Sequence, residues 1–289
     1  MMLLDCEDAE TALRSLAHAS GVDDADFRAA LLARNPDRTV WTGDEDPWVA
    51  IPRVLLADLG VEIGEVRFDG AYYFHGTRTL RPHAFLHEGI LPLGAALDRL
   101  WSDLHDLCDG DVTNASWMAF RQQLEGGIPT PLHSRHGAYL YRMKFANDFH
   151  HGPYASLIRD HTIDPIEGQH DYVKSPEIVE DIARCVDFDL QERFEATARS
   201  CIVKFRHHEV KQQLVEAAVL YVWARIQNRP LDLGSVYGID CRGAVPATDV
   251  VYVDEVDLSR RGGPRPTLVR RHRAPDCSAT DLPCASTPA

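Results

Sequence analysis

The sequence lacks any apolar run long enough to cross a membrane, and it lacks an excess of basic residues. No stretch approaches the roughly 18 consecutive apolar residues that a membrane-spanning helix needs. Lysine and arginine number 30 against 44 aspartate and glutamate residues, which gives a formal net charge of −14. Because nonspecific nucleic-acid binding depends on clustered basic residues, strong binding of that kind is not expected. The N-terminus becomes acidic at Asp5, which argues against a secretory signal.

Several common site motifs are also missing. The seven cysteines include no Cys-x-x-Cys pair, so neither a zinc ribbon nor a redox motif is indicated. The chain has no Walker A motif, no Gly-x-Ser-x-Gly and no Gly-x-Gly-x-x-Gly after a strand, which removes the commonest nucleotide-binding and hydrolase assignments. The composition, 45% hydrophobic and 26% charged, is typical of a soluble globular protein, and we expect a cytoplasmic location.

Apolar periodicity predicts an α+β fold. We expect a helical N-terminal cap in residues 1–60, a main domain in 61–258 and a disordered tail in 259–289. The tail is rich in arginine, proline, serine and threonine and has too little apolar surface to offset its ordering entropy. Helices are predicted at 11–19, 26–33, 47–59, 93–107, 117–124, 152–159, 177–182 and 209–226. Strands are predicted at 72–74, 137–145, 201–205 and 250–253.

The segment from Tyr72 to Arg78 carries the clearest chemical signal. Its aromatic run predicts a buried strand that ends at His75-Gly76-Thr77. Alternation along a strand sends His75 and Thr77 to the same side, and Gly76 between them lets a ligand approach the backbone. A neutral imidazole, a hydroxyl and an open backbone amide can hydrogen-bond a planar carboxamide and a ribose diol. The plainer interpretation is a core strand that ends in a surface histidine.

This segment resembles the ADP-ribosyltransferase superfamily, in particular the branch that contains the poly(ADP-ribose) polymerases and the tRNA 2'-phosphotransferases. In that branch a strand carries His-Gly-Thr or His-Gly-Ser, and a short helix with Gly-Ile or Gly-Leu follows. The corresponding residues here are His75-Gly76-Thr77-Arg78 and Glu88-Gly89-Ile90-Leu91-Pro92.

The resemblance implies a split, antiparallel-rich β-sheet surrounded by helices, with NAD bound as substrate in the cleft. His75 would bind the ribose on the nicotinamide side, and the Gly76 backbone, supported by Thr77, would hold the carboxamide. Arg78 would also belong to the NAD-binding site. The ring would stack on a tyrosine. Two segments fit the Gly-x-Tyr pattern of the family: Tyr139 in Gly137-Ala138-Tyr139 is slightly favoured, and Tyr154 in Gly152-Pro153-Tyr154 is the competitor or a second wall of the pocket.

The resemblance also implies a carboxylate at the start of a late strand. Asp249 matches that position, although many members of the family have glutamate there, and Glu255 and Glu209 are further candidates. The implied reaction transfers ADP-ribose from NAD to a protein or nucleic-acid acceptor, or to water. A noncatalytic module that binds ADP-ribose or a protein partner on the same fold is a second hypothesis.

Abundant histidine supports a third hypothesis, a metal-dependent hydrolase. Imidazole is a common metal ligand, and His133-x-x-His136 has a tolerable spacing. Against it, there is no His-Glu-x-x-His helix and no cysteine pair, so no metal ligand is assigned. Further potential ligands are His150, His151, His161, His170, His207 and His208.

Overall fold

The computed structural model describes residues 1–34, 47–127, 135–146, 152–163, 170–229, 237–258 and 267–273. The fold combines helices with a mostly antiparallel sheet, so the α+β prediction is confirmed. The helices are α1 (Ala9–Ser20), α2 (Asp24–Ala33), α3 (Pro47–Ala57), α4 (Ala84–Glu88), α5 (Leu93–Asp106), α6 (Asn114–Glu125), α7 (Arg135–Phe145), α8 (Arg159–Ile163), α9 (Glu177–Ala183), α10 (Leu190–Thr197) and α11 (Gln212–Ile226). The strands are β1 (Leu3–Leu4), β2 (Gly70–Thr79), β3 (Tyr154–Ser156), β4 (Arg199–His207), β5 (Gly238–Asp240), β6 (Val250–Asp257) and β7 (Thr267–Arg273).

These strands form one sheet in the order β5-β3-β2-β4-β6-β7, with β1 parallel to the start of β2. The pairing of β2 with β4 runs from Ala71 opposite His207 to Thr79 opposite Arg199. On its other edge β2 pairs with β3 only at Phe74 opposite Ser156. In the described part of the chain, the second half of β2 therefore has a strand partner on one side only.

Two large hydrophobic clusters and a small third one form the core of the described residues. In the first, α1, α2, α3 and α11 pack with sheet residues that include Tyr73, Val203 and Val253. In the second, α5, α6, α7, α9 and α10 pack around Trp101 and Trp117. The Trp101 indole N–H donates to the Tyr141 hydroxyl at 3.0 Å, and the Trp117 indole N–H donates to the Trp101 carbonyl at 2.9 Å. The leucine repeat that predicted α5 thus faces this second core, as expected of an amphipathic helix.

A buried charged network lies on the sheet around Lys204 of β4. The Lys204 Nζ is 2.6 Å from an Asp5 carboxylate oxygen and 2.7 Å from a Glu7 oxygen, and the residue is only 4% exposed. The same ammonium lies 4.5 Å from the centre of the Tyr72 ring. The N-terminal segment, predicted to be a helical cap, therefore also contributes β1 and two acidic partners to the sheet.

The prediction that β2 ends at His75-Gly76-Thr77 was wrong. All three residues lie inside β2, opposite Val203, Ile202 and Cys201 of β4. The polar residues suggested a strand end, but the continuous pairing with β4 extends the strand to Thr79. The motif is therefore rigidly held by a neighbouring strand.

The segment predicted as a strand at 137–145 is helix α7 instead. Its aromatic residues alternate, but the buried positions Ala138 and Tyr141 are three apart, which is a helical spacing. Close packing on α9 favours the helix, because a Cβ added at Gly137 would lie 2.7 Å from the Asp181 carbonyl oxygen. The local alternation was overridden by this helix-to-helix contact.

Two further predictions need correction. The segment expected to be a helix from residue 152 to Arg159 begins with strand β3, and helix α8 starts only at Arg159. Thr267–Arg273, part of the tail expected to be disordered, pairs with β6 as β7. Residues 259–266 and 274–289 of that tail lie outside the described part of the chain. No helix among the described residues is both long and apolar enough to cross a membrane.

Gly89 gives a testable stability prediction. Its φ of 77° and ψ of −162° fall in a region that only glycine readily adopts, and an added Cβ would lie 2.0 Å from the Val245 carbonyl oxygen. Gly89→Ala should therefore destabilise the fold by at least about 1–3 kcal/mol, measured by urea denaturation. Gly110→Ala is the matched control, since Gly110 also has a positive φ but has no atom within 4 Å of its added Cβ. If both variants lose the same free energy of unfolding, the close contact with Val245 does not contribute to the effect of Gly89→Ala.

Candidate active site

A cavity of about 750 Å³ lies where the second half of β2 meets the second helical cluster. This volume is within the range of roughly 300–1,000 Å³ that is typical of small-molecule sites. All residues from Phe74 to Thr79 line it, as expected for a strand edge that β3 leaves uncovered. The remaining wall comes from α4, α5, α7, α8, α9 and the segments around β3 and β5. His75, Gly76, Thr77, Arg78 and Tyr154 thus lie around one concavity.

His75 is held in a defined protonation state. Its Nδ1 lies 2.7 Å from the Tyr154 carbonyl oxygen. A carbonyl can only accept, so Nδ1 carries the hydrogen and donates it. Burial lowers the pKa of His75 below its ordinary value of 6.5, although the hydrogen bond to Tyr154 opposes the shift. The ring is therefore neutral at pH 7, and Nε2 is the nitrogen with a lone pair for a ligand.

Aromatic rings also line this cavity. The Phe85 ring meets the His75 ring edge-on, with centroids 6.4 Å apart at 71°. Tyr154 and Tyr172 form a second pair, with centroids 6.3 Å apart at 32°. The Tyr154 hydroxyl is buried and has no hydrogen-bond partner among the described residues, and burial raises its pKa to about 12. A buried hydroxyl without a partner costs about 1–3 kcal/mol.

The cavity also contains a carboxylate on the side of Tyr172. The Tyr172 hydroxyl donates to Glu177 Oε1 at 3.2 Å, and the Lys144 ammonium lies 3.1 Å from Glu177 Oε2. Burial alone would raise the pKa of Glu177, but the hydrogen bond and charge of Lys144 outweigh it, so the pKa falls below its ordinary value. Glu177 is therefore ionised at neutral pH. The contacts run continuously from His75 through Tyr154 and Tyr172 to Glu177.

Basic side chains line the same cavity, and several already have partners. Arg81 pairs with Asp103, and Arg99 pairs with Glu88. Arg78 donates to the Ser200 hydroxyl at 3.1 Å and to backbone carbonyls, which fixes its guanidinium against β4. The charges of Arg81 and Arg99 are thus compensated by carboxylates, whereas the hydrogen-bond acceptors described for Arg78 are uncharged.

The structure gives a reason for glycine at position 76 that differs from the expected close approach of a ligand. A Cβ at this position would lie 2.5 Å from the Thr162 Cγ2 and 3.1 Å from the Val173 Cγ1. The glycine therefore lets α8 and the segment before α9 pack closely on β2. Its backbone also lines the cavity, which is compatible with close approach by a ligand.

Tyr139, the favoured stacking residue, does not lie in the cavity wall. It belongs to α7 and is 56% exposed, because the helix turns Ala138 and Tyr141 toward the core instead. The competitor Tyr154 does line the cavity. The sequence prediction failed here because it assumed a strand at 137–145.

The three predicted carboxylates also lie outside the cavity wall. Asp249 precedes β6, beside the Val250–Phe205 pair and opposite the start of β2, and it accepts a hydrogen bond from Arg206 at 2.7 Å. Glu255 is level with Thr77, but β4 lies between their strands, and its Oε1 is 2.6 Å from His272 Nε2. Glu209 pairs with Lys211 at 3.0 Å. These positions correct the sequence assignment of the acid.

Tyr172, Glu177 and Asp240 line the cavity and were not predicted as site residues. The Ser175-Pro176-Glu177 sequence did predict the start of α9, but nothing in it indicated that α9 begins beside β2. His161 and His170 also line the cavity, whereas His133, His150 and His151 lie outside the described residues.

No protein-family model, no curated protein and no solved structure matches this chain.

Proposed function

We propose that the cavity binds NAD and that the protein transfers ADP-ribose from NAD to an acceptor or to water. The observation that carries the proposal is the neutral His75, whose Nδ1 is bound to the Tyr154 carbonyl and whose Nε2 has an available lone pair. Such a nitrogen accepts a hydrogen bond from a ribose hydroxyl, whereas a protonated histidine would not. The resemblance of this segment to ADP-ribosyltransferases supports the same assignment and an ADP-ribosyltransferase-like sheet.

The other residues of the cavity have roles that follow from the reaction. The bond between nicotinamide and C1' of ribose breaks, its electron pair leaves with nicotinamide, and positive charge develops at C1'. The ionised Glu177, in place of Asp249, would stabilise that charge. Tyr154 and Tyr172 would offer aromatic surface to the nicotinamide ring. The acceptor then attacks C1' and loses a proton.

The noncatalytic binding module makes a different prediction, namely NAD or ADP-ribose binding without nicotinamide release. A metal-dependent hydrolase is less well supported. Among the described residues, the group whose ligand atoms are close enough to share an ion is His83, Glu255 and His272, and none of them lines the cavity.

The direct test measures nicotinamide release from ring-labelled NAD, with and without cell extract as a source of acceptors, together with calorimetry of NAD binding. We expect binding and release, both abolished by heat-unfolding the protein. Binding without release in any extract would contradict transfer and support the binding module. If the protein neither binds NAD nor releases nicotinamide, NAD is not its ligand.

Glu177→Gln removes the negative charge of the carboxylate and keeps the size of the side chain. It should lower nicotinamide release by roughly 100-fold or more, because charge stabilisation at the reacting centre is lost, and should leave the Kd for NAD nearly unchanged. Glu180→Gln is the control, since Glu180 is on the same helix, pairs with Arg184 and is not part of the cavity wall. Equal release by the wild type and by Glu177→Gln would remove Glu177 from the mechanism.

A further inference from the structure

A second cluster of chemically active side chains lies on the sheet, away from the cavity wall. His83 immediately precedes α4, Glu255 is on β6, and His272 is on β7. One potential ligand atom from each lies within 4.8 Å of the others. Neither the fold nor the proposed transfer reaction requires these three residues to meet.

The strand register explains why two of them meet. Val253 is opposite His272, and Glu255 is opposite Arg270, so Glu255 and His272 are diagonal neighbours on one face of the β6–β7 pair. Asp254 and Arg271 are turned to the other face, where they form an ion pair with atoms 2.6 Å apart. The alternation of a strand thus separates the His272–Glu255 contact from the charged network.

His83 approaches the His272–Glu255 pair from outside the sheet, at the start of α4. Its ring centroid is 4.0 Å from that of His272, and the two planes are inclined by 69°. Contacts between α4 and β6 bring the start of the helix over this face. His83 is exposed and its ring can rotate, whereas the side chains of His272 and Glu255 are only 7% and 16% exposed. Two potential metal ligands in fixed positions and one that can adjust therefore lie close together.

We propose that His83, Glu255 and His272 bind one zinc ion. Two imidazoles and one carboxylate form a donor set that zinc prefers, and bonds of about 2.0–2.2 Å bring tetrahedral ligand atoms to roughly 3.3–3.5 Å from one another. The present separations need only small side-chain movements to reach that arrangement. A single carboxylate is too few oxygen ligands for calcium, which takes six to eight.

The ion would connect three elements that are distant in sequence. It would fasten the edge strand β7 and the start of α4 to β6. Ala84 and Phe85, the two residues after His83, line the cavity. Zinc would therefore stiffen one wall of the cavity without contacting a ligand there. This inference does not depend on the identity of that ligand.

The test uses the untagged full-length chain, treated with a chelator and then supplied with zinc alone. We expect close to one equivalent of zinc by elemental analysis and calorimetry, a higher Tm, and the visible absorption of four-coordinate cobalt when Co²⁺ is used as the probe. Because the chain has 14 histidines, variants must assign the site.

His83→Ala should weaken zinc binding at least tenfold, since even the loss of an outer partner of a ligand costs about 10–100-fold. His83 is exposed, so this variant should keep the metal-free fold. Glu255→Gln should have a similar effect, and His87→Ala, an exposed histidine at the end of α4, should have none. The proposal is overturned if less than half an equivalent of zinc binds, or if His83→Ala and Glu255→Gln bind zinc as tightly as the wild type. Neither outcome would bear on NAD binding.

Discussion

His75→Asn should weaken NAD binding by about tenfold to a hundredfold. The side-chain amide of asparagine can take the place of Nδ1–H and keep the hydrogen bond to the Tyr154 carbonyl, but it has no group that replaces Nε2. The expected loss corresponds to about 1–3 kcal/mol for a buried hydrogen bond whose partner is left unsatisfied. Calorimetry with NAD measures it. His87→Ala, outside the cavity wall, should leave the Kd unchanged.

The pH dependence of the same binding follows from the lowered pKa of His75. Burial disfavours the protonated ring, so the neutral acceptor persists below the ordinary pKa of 6.5. As pH falls further, protonation converts the acceptor into a donor and affinity should drop. We therefore expect a constant Kd from pH 8 to about 6.5 and weaker binding in more acidic solution. Wild-type affinity in His75→Asn, with an unchanged pH profile, would disprove the assigned role of Nε2.

Lys204→Met should strongly destabilise the fold. Methionine keeps most of the alkyl chain but removes the ammonium that pairs with Asp5 and Glu7. Glu7 keeps Arg271 at 3.0 Å, whereas Asp5 loses the cation that it contacts. Removing one partner of a buried ion pair leaves uncompensated charge and costs about 3–5 kcal/mol. Urea denaturation followed by circular dichroism measures this change in the free energy of unfolding. Lys211→Met, whose exposed side chain pairs with Glu209, should cost less than about 1 kcal/mol.

Acid should reduce the difference between the wild type and Lys204→Met. Burial opposes ionisation of Glu7, but Lys204 outweighs it and lowers its pKa from 4.5 to about 2. The stability from this ionised group is thus present above pH 4.5 and is lost as pH falls toward 2. Asp5 is more deeply buried and has a raised pKa despite Lys204, so it takes up a proton at higher pH than Glu7 does. Its protonation relieves the burial cost of its charge and further reduces the difference between the two proteins. A mutational cost that stays constant from pH 7 to pH 3 would contradict this account.

Some elements could be predicted from local sequence because one pattern dominated. The leucine repeat of α5 and the apolar runs of β4 and β6 each favour one structure, and each is found. In α7 two patterns compete: aromatic alternation favours a strand, whereas the spacing of Ala138 and Tyr141 favours a helix. The contact of Gly137 with α9 decides between them, and that contact is invisible before the fold is known.

The candidate site likewise contains some residues that the sequence could predict and others that it could not. His75 and its neighbours could be found because their chemistry lies in one short segment. Tyr172 and Glu177 come from about 100 residues further along the chain, and their approach to β2 depends on how α9 packs. Asp249 fits a sequence pattern, but the register of β6 against β4 sets it beside the wrong end of β2. Position along a strand, unlike residue type, is not encoded locally.

The strand β7 has a practical consequence for work with shortened versions of the chain. It lies in the tail whose composition predicts disorder, yet Arg271 makes two contacts with the fully buried Asp254, at 2.6 Å and 2.8 Å. A truncation at residue 258 would remove Arg271 from Asp254, leaving Arg159 at 2.9 Å as its ion-pair partner among the described residues, and would expose the outer backbone of β6. An exposed strand edge is a template for unwanted pairing between molecules. Shortened versions that stop at residue 258 should precipitate, whereas those that extend through Arg273 should stay in solution.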